Sequence, residues 1–357
     1  MTRARYCFAG SLTVDNVLTS AGEVLPSTAA GNAVYSAVGA SVWDGHVAIL
    51  SRVRRGYPAA ALSALSADGV CLEGVRRLHE QHGMNVAFWY KPDGSRQRTI
   101  GLAGRRLIPE SEWPRFVDYT TKGAEHRYRT ALRFSPSPSD VSANYLDDFS
   151  GMHLAAMPVQ RHEALIAFAR RTRRDLILTL DSPWYDERDL EEDHHSRILS
   201  LVDALLPSQA DLRPPLPVED PLTAAAMLIL WGSPRVVIKL GRGGCLVVDQ
   251  RRRGWLVPSY PTDPVDLTGA GDAFCGGFIV GLTTSRDIVK AAAMGTVSAS
   301  LVIENVGFAG IAKAVGSAEL ARRLDETLAG VRSVGDPEIG AAFGAGTAIL
   351  EKQPGGP

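Results

Sequence analysis

Short apolar runs alternate with segments of helical spacing along most of the chain. Uninterrupted apolar runs of about four to eight residues suit strands that are buried on both faces of a sheet. Such runs occur at residues 6–9, 47–50, 153–157, 176–180 and 235–240. Segments with helical spacing lie between or after them, at residues 33–42, 59–67, 72–80, 162–174 and 221–230. This alternation predicts βαβ units, and therefore an α/β fold with a mostly parallel sheet flanked by helices.

Two segments depart from this pattern. Residues 12–25 alternate apolar residues with polar or small ones, which favours a short hairpin outside the main sheet. Residues 85–102 predict a second hairpin, because strand-like residues flank the turn pair Asp93-Gly94. We expect the two segments to form a small β-sheet that covers a cleft as a lid.

The pattern also sets the expected domain limits. Residues 1–328 carry the alternation and should form one α/β domain together with its lid. From Ala329 onward the sequence is rich in glycine, and it ends in Pro-Gly-Gly-Pro. Residues 329–357 are therefore expected to form a flexible C-terminal tail.

Composition and charge argue against several classes of function. The chain has 38 basic and 39 acidic residues, so its net charge gives no reason to expect binding to nucleic acid or to an anionic membrane. Its four cysteines lack the spacing of a zinc site or a disulfide framework, which fits a reducing compartment. Since no run reaches about 18 apolar residues and the N-terminus lacks a secretory pattern, we expect a cytoplasmic protein.

The strongest chemical signal is the turn at residues 266–274, Asp-Leu-Thr-Gly-Ala-Gly-Asp-Ala-Phe. Gly269, Ala270 and Gly271 leave the backbone open to a ligand, and a helix that starts there presents unpaired N–H groups that attract anions. Asp272 adds a carboxylate that can take a proton from a hydroxyl group beside those amides. The alternative is a plain glycine-rich loop with an acidic residue at the start of a helix.

Two other phosphate-binding motifs are excluded at this turn by their spacing. A P-loop requires a Gly-Lys pair, and no such pair occurs in the chain. The dinucleotide-binding fingerprint requires a third glycine where Phe274 stands, in a loop that follows the first strand. The turn must therefore belong to a different class of anion-binding site, if it binds an anion.

Polar groups near the N-terminus form a second candidate site. Asp15 follows the first predicted strand, and open α/β sheets place ligand-binding groups past the carboxyl ends of their strands. Gly31 and Asn32 form another small-residue loop that precedes a predicted helix. Both features have an ordinary alternative, because a turn aspartate can accept from backbone amides and a Gly-Asn pair is a common turn and cap.

The sequence at 266–274 resembles the C-terminal signature of the ribokinase-like carbohydrate kinases, also called the PfkB family. The resemblance extends over about residues 5–325, in the order of elements that this family shows. It implies a ribokinase-like, doubly wound α/β domain with a β-sheet lid. It also implies that Asp272 is the general base, and that the amides of Gly269, Ala270, Gly271 and Asp272 form the anion hole for the phosphoryl group transferred from ATP.

The resemblance assigns further roles by position. It makes Asp15 the residue that binds the substrate hydroxyl, and it places Gly31, Asn32 and Tyr35 in the sugar-binding loop. The positions implied for nucleotide and metal are Lys239, Gly241 and Thr268 on the nucleotide side, Asp266 with Thr268 for a monovalent cation such as K⁺, and Asp211 for Mg²⁺ through water.

Three positions depart from the family pattern. Tyr35 stands where the family has a sugar-contacting asparagine, and Arg54-Arg55-Gly56 replaces the usual Gly-x-Asp. Both changes concern the part of the site that selects the substrate. Ser208-Gln209-Ala210-Asp211 replaces the Asn-x-x-Glu that organises magnesium, which leaves Asp211 as the weaker magnesium candidate.

The leading functional hypothesis is ATP-dependent phosphorylation of a hydroxymethyl group on a sugar or sugar derivative, with Mg²⁺ carried by the nucleotide phosphates. A nucleoside kinase is the alternative within this class, because Phe88 and Trp89 of the lid could stack on a base. A degenerate kinase fold that senses a ligand is the alternative outside it. Pairing of the lid hairpins across a homodimer is also left open by the sequence.

Overall fold

The computed structural model describes residues 5–80, 83–91, 96–97, 100–120, 123–182 and 198–351. The predicted Asp93-Gly94 turn lies outside these ranges. None of the helices within them has the length and apolar character needed to cross a membrane.

Fourteen strands can be assigned in the described ranges, and their lengths follow the apolar runs. They are β1 Tyr6–Ala9, β2 Thr13–Leu18, β3 Val24–Ala30, β4 Val47–Val53, β5 Cys71–Arg77, β6 Asn85–Tyr90, β7 Arg96–Gln97, β8 Gly151–Leu154, β9 Ile177–Leu180, β10 Ala204–Leu205, β11 Arg235–Lys239, β12 Cys245–Asp249, β13 Gly254–Val257 and β14 Arg332–Ser333.

Twelve α-helices are assigned in the same ranges, and most of them connect the strands. They are α1 Asn32–Ser41, α2 Ala59–Ala67, α3 Leu102–Arg105, α4 Trp113–Thr120, α5 Ala124–Phe134, α6 Val159–Thr172, α7 Pro221–Leu230, α8 Ala270–Ser285, α9 Ile288–Ile303, α10 Ile311–Ala314, α11 Ser317–Ala329 and α12 Asp336–Leu350.

The strands form two separate sheets. The central sheet has ten strands in the order β14-β13-β12-β11-β10-β9-β8-β1-β4-β5. Its pairs from β5 to β11 are parallel, and β12, β13 and β14 extend it as antiparallel strands. This confirms the predicted mostly parallel sheet, and the crossovers between its parallel strands place helices on both faces.

The small sheet has the order β3-β2-β6-β7 and is built from the two segments predicted to lie outside the main sheet. Strand β2 pairs with β3 in antiparallel and with β6 in parallel orientation, so the two segments are joined edge to edge. Because β2 and β6 are hydrogen-bonded to each other, the two hairpins are not independent. A single sheet of four strands therefore lies beside the central domain.

Alternate residues of the central strands enter two hydrophobic cores. Tyr6 and Phe8 of β1 lie in the core beneath α1, α8 and α9, whereas Cys7 and Ala9 lie in the core beneath α6, α7 and α12. This follows from the two-residue repeat of side-chain direction along a strand. Because both faces are covered, the central strands are predominantly apolar, which is the pattern that the sequence showed.

Close backbone contact holds α8 between its neighbours. A Cβ on Gly276 would lie 1.9 Å from the carbonyl oxygen of Ser36 on α1, and one on Gly277 would lie 2.6 Å from the carbonyl oxygen of Met294 on α9. From α1, Gly39 approaches α8 in the same way, since its Cβ would lie 2.2 Å from the carbonyl oxygen of Ala273. The position of α8 is therefore fixed by backbone packing rather than by adjustable side chains.

The helix predicted at residues 72–80 is wrong. The structure has strand β5 there, Cys71–Arg77, paired in parallel with β4. Gly74 explains the difference, because a Cβ at this position would lie 2.7 Å from the carbonyl oxygen of Ile49 on β4. A glycine inside an apolar segment of this kind often marks close approach of another strand rather than a helix.

The flexible tail predicted for residues 329–357 is also wrong over most of its length. Strand β14 pairs with β13, and α12 then packs on α7 with Ile339, Ala342 and Phe343 buried. Exposed glycines on α12 gave the segment its tail-like composition, while its buried face holds the apolar residues. Residues 352–357 lie outside the described ranges.

Substitution of Ile339 by Val should distinguish a packed helix from a frayed tail. Removing one buried methylene should lower the free energy of unfolding by about 0.5–1.5 kcal/mol, because Ile339 is only 3% exposed. The matched control is Ile349→Val, at a partly buried position near the end of the same helix. Denaturant unfolding measures both, and equal, negligible losses would contradict the packing of α12.

Candidate active site

One cleft opens where the carboxyl ends of the parallel strands meet the small sheet. This edge is where open α/β sheets bind ligands. The predicted residues that line the cleft are Asp15, Gly31, Asn32, Tyr35, Asp211, Lys239, Gly241, Thr268, Gly269, Ala270, Gly271 and Asp272. Asp266 lines a smaller recess that shares Leu267 with the cleft. The fold thus brings together residues that are more than 250 positions apart in the sequence.

The turn at 266–272 ends in the first turn of α8, as the motif predicted. Gly269 has φ +79°, in the left-handed region, and α8 begins at Ala270 with Asp272 in its first turn. A Cβ on Gly269 would lie 2.1 Å from Cγ of Tyr35, so the tyrosine ring lies flat against the turn. The first N–H groups of a helix have no partner within it, and here that helix end faces the cleft.

Tyr35 lies close enough to the carboxylates of the site for their charges to act on its hydroxyl group. Its side chain is 2% exposed. Burial raises the pKa of its hydroxyl well above the usual value, and the carboxylates of Asp15, Asp266 and Asp272 raise it further. Tyr35 is therefore a neutral hydrogen-bonding group that narrows the cleft between Asp15 and Asp272.

Asn32 uses its side chain to join two strand ends. Its Oδ1 accepts from the backbone N–H of Ser11, after β1, at 2.7 Å, and its Nδ2 donates to the carbonyl of Ala156, after β8, at 2.7 Å. The adjacent Gly31 has φ +131°, and its Cβ would lie 2.2 Å from the carbonyl oxygen of Ser11. Gly31 holds the end of β1 against α1 by close approach, and Asn32 does so by its hydrogen bonds. Both residues thereby shape this part of the cleft.

Asp15 belongs to the small sheet, on β2. Its Oδ1 accepts from the hydroxyl of Thr13 at 2.6 Å, and the residue is only 4% exposed. Tyr57 lies nearby: burial raises the pKa of its hydroxyl, and the charge of Asp15 raises it further. The carboxylate therefore lies among neutral hydroxyl groups, which is suitable for a partner that is itself a hydroxyl.

Lys239 lies next to the turn at 266–272, where it is paired with the carboxylate of Asp181. Its Nζ donates to the two carboxylate oxygens of Asp181 at 3.1 and 3.2 Å, and Lys239 is 9% exposed. Burial alone would lower the pKa of Lys239, but the electrostatic effects of Asp181, Cys275, Asp272 and Asp211 together outweigh this and the pKa is raised. The ammonium stays charged, and it lies near Gly271, since a Cβ on that glycine would lie 3.6 Å from Lys239 Nζ.

Three buried groups beside Lys239 have the chemistry of metal ligands. Atoms of His153, Asp181 and Cys275 lie within 4.8 Å of one another. The Lys239 ammonium already donates to Asp181 and lies 3.5 Å from Cys275 Sγ. Because the ammonium already pairs with Asp181 and lies beside Cys275, the trio surrounds a lysine rather than offering three free ligands to a metal.

The two carboxylates assigned to metals differ in environment. Asp211 is exposed at the cleft, at the end of a 3₁₀ turn, Gln209–Asp211, that follows β10. Asp266 is buried, and its Oδ1 accepts from the N–H of Thr268 at 2.9 Å. No ion pair to Asp266 is found among the described residues.

The small sheet presents alternate residues of β6 to the cleft. Val86, Phe88 and Tyr90 line it, and the hydroxyl of Thr268 donates to Tyr90 Oη at 3.3 Å. Trp89 points to the opposite face, where it packs with α4 and against Gly104. The expected stacking by Trp89 is therefore wrong, because adjacent residues of a strand face opposite sides.

Several residues of the cleft were not assigned a role from the sequence. Asp181 directly follows β9, so it carried the same signal as Asp15, a carboxylate past a strand end. Tyr90 could have been found from the alternation along β6. Tyr57 and His126 also lie at or near the cleft, in segments without a chemical pattern.

This arrangement can transfer a group to a hydroxyl. A helix N-terminus can stabilise an anionic group, and a carboxylate in its first turn can accept a proton. A second carboxylate, Asp15, lines the same cleft. These are the parts required when a phosphoryl group passes from one oxygen to another.

Comparison with known proteins gives the same answer. The profile of the pfkB family carbohydrate kinases matches residues 128–313, more than half of the chain. A cytidine kinase from Thermococcus kodakarensis is 25% identical over 301 residues, which cover 84% of this chain and 95% of that protein.

Solved structures share the fold. An apo structure described as ribokinase II from E. coli aligns with TM-score 0.65 and 19% identity, over 90% of this chain and 99% of the other. A structure described as ribokinase II from E. coli with ATP and Mg²⁺ gives 0.63 and 16%, over 90% and 99%. The nucleoside kinase of Burkholderia thailandensis with inosine gives 0.63 and 16%, over 92% and 100%. The chain thus belongs to the pfkB family of carbohydrate kinases, and it is an ATP-dependent kinase of ribokinase fold.

Proposed function

We propose that this kinase transfers the terminal phosphoryl group of ATP to a hydroxymethyl group of a sugar or sugar derivative, with Asp272 as the general base. The observation that carries the proposal is the position of Asp272 in the first turn of α8, where the helix N-terminus faces the cleft. The proposed base, Asp272, and the amides of the anion hole then belong to the same rigid helix end. Asp15, which lines the same cleft, binds a second hydroxyl of the acceptor and orients it.

The transfer follows from these positions. Asp272 takes the proton of the acceptor hydroxyl as its oxygen bonds to the terminal phosphorus of ATP. The bond from that phosphorus to the bridging oxygen breaks, and ADP leaves with the electron pair. The amides of Gly269, Ala270 and Gly271 hold the negative charge that spreads over the transferring group. Tyr35 keeps the acceptor near Asp15 by narrowing the cleft.

The residues for metal ions fit in chemical type. Asp211 offers an exposed carboxylate at the cleft, and hard oxygen ligands with retained water suit Mg²⁺. Mg²⁺ bound to the nucleotide neutralises phosphate charge during such transfers. Asp266 suits a monovalent cation such as K⁺, because it is a buried carboxylate for which the described residues provide no ion pair. Lys239 and Gly241 lie toward the nucleotide end.

A nucleoside is the second candidate acceptor, and two observations favour it. Phe88 and Tyr90 present aromatic rings to the cleft, where a base could stack. The cytidine kinase of Thermococcus kodakarensis also matches this chain over most of both lengths. A nucleoside carries its hydroxymethyl group on a ribose, so the same Asp272 chemistry would serve.

A substrate panel with adjacent variants of β6 separates the two candidates. Transfer from ATP is measured for pentoses, hexoses, sugar acids and nucleosides, together with the melting shift that each compound causes. If a nucleoside is the acceptor, Phe88→Leu should raise its KM about 5- to 30-fold, since a lost stacking contact is worth about 1–2 kcal/mol. Trp89→Leu is the control, because Trp89 faces away from the cleft.

Each outcome of this panel supports one function. Transfer to sugars with an unchanged KM in Phe88→Leu supports the sugar kinase. Transfer to nucleosides with a raised KM only in Phe88→Leu supports the nucleoside kinase. Nucleotide binding without transfer to any compound of the panel would contradict both and favour a ligand sensor.

A further inference from the structure

A buried ion pair lies next to the N-terminus of α8. Lys239 ends β11, and its ammonium donates to both oxygens of Asp181, which follows β9. A Cβ placed on Gly271 would lie 3.6 Å from Lys239 Nζ. A side-chain carbon at this position would be in contact with the ammonium, so the ammonium lies next to the middle of the proposed anion hole.

The groups around this ammonium come from every element packed against it. They are Asp181 after β9, His153 on β8, Asp272 and Cys275 on α8, and Asp211 after β10. Burial lowers the pKa of His153 well below its usual value, and burial raises the pKa of the Cys275 thiol. Both are thus neutral, and within this set of described groups Lys239 is the cation that faces three carboxylates.

We propose that Lys239 is a positioning residue for phosphoryl transfer, with its ammonium stabilising the transferring anion through the backbone of Gly271 and Asp181 holding that ammonium in place. This rests on the proposed anion hole. Charges act strongly here because protein, not water, fills the space between them. Phosphoryl transfer gains most of its rate from such fixed charge, since there is little covalent chemistry for the protein to supply.

A purely structural ion pair makes a different prediction. Removing one partner of a buried pair leaves an uncompensated charge and destabilises the fold, whereas replacing both partners by neutral groups relieves that cost. If the pair is only structural, activity should follow stability through this series. If Lys239 supports the anion hole, the double replacement should recover stability but not turnover.

The experiment compares Lys239→Met, Asp181→Asn and the double variant in the full chain. Melting temperature, kcat, and KM for ATP and for the acceptor are measured for each. We expect Lys239→Met to lower kcat by about 10- to 100-fold, somewhat less than the loss of a direct oxyanion donor. The KM for the acceptor should change by less than about twofold, because ground-state binding of the acceptor does not depend on the ammonium.

The double variant decides between the two explanations. We expect its melting temperature to recover toward the wild-type value while kcat stays as low as in Lys239→Met. Asp181→Asn, which keeps the ammonium, should retain turnover within about tenfold of wild type. Recovery of kcat together with melting temperature in the double variant would overturn the proposal, as would a raised KM with unchanged kcat in Lys239→Met. If Lys239→Met does not fold, the double variant alone gives the same decision.

Failure of this inference differs from failure of the proposed function. Asp272→Asn is assayed in parallel. Loss of transfer in Asp272→Asn with normal kcat in the double variant rejects the role of Lys239 and keeps the base. Normal transfer in Asp272→Asn rejects the base itself, and with it the proposed site.

Discussion

Replacement of Asp272 by Asn should lower kcat by about 10²- to 10⁴-fold, the range expected when a general base is removed. An amide keeps the size and most of the hydrogen bonding of the carboxylate, but it cannot accept the proton of the acceptor hydroxyl. Because the first turn of α8 is otherwise unchanged, ATP and acceptor should still bind. Initial rates of ADP formation at saturating substrate give kcat.

Two measurements make this result specific. The melting shifts caused by ATP and by the acceptor should match those of the wild type, which separates lost chemistry from lost binding. Asp263→Asn is the matched control, since it removes an exposed carboxylate a few residues before the motif and should leave kcat unchanged. Near-normal transfer by Asp272→Asn with both substrates bound would show that another group is the base.

Replacement of Gly276 by Ala should destabilise the protein by about 3 kcal/mol, at the upper end of the usual cost of overpacking. The added Cβ would lie 1.9 Å from the carbonyl oxygen of Ser36 and 2.7 Å from the amide nitrogen of Ala40. Both atoms are backbone, so no side-chain rotation can relieve the clash. Helices α1 and α8 would have to separate, and that would move Tyr35 away from Gly269.

The matched control is Gly340→Ala on α12, where a Cβ would meet no atom within 4 Å. That change should raise the free energy of unfolding by roughly 0.5–1 kcal/mol, because alanine loses less backbone entropy in a helix than glycine. Urea unfolding measures both variants. Equal effects of the two alanines would contradict the close approach of α1 and α8.

The catalytic end of the site was predictable because its signal is local. An anion-binding turn needs small residues, a helix start and a carboxylate within a few positions, and residues 269–272 contain all three. Apolar runs predicted the central strands for the same reason, since burial on both faces requires an uninterrupted run.

Other features could not be predicted, because they depend on contacts between distant residues. Asp181 directly follows β9, and nothing in the sequence shows that it pairs with Lys239, 58 positions later. Trp89 and Phe88 are adjacent aromatics, and only the packing of β6 shows which ring faces the cleft. Glycine led to two wrong predictions, the helix around Gly74 and the flexible tail along α12. The same residue type occurs in close packing, in turns and on exposed helix surfaces.

The sequence by itself determined the α/β alternation, the two segments of the small sheet and the turn that opens α8. Each is encoded within a short window by polarity, spacing and backbone freedom. Only the tertiary structure decided that this turn lines one cleft with Asp15, that Tyr35 lies against Gly269, and that Lys239 lies near Gly271 and pairs with Asp181. These relations join residues from opposite ends of the chain, and they exist because parallel strands bring their carboxyl ends to one edge of the sheet.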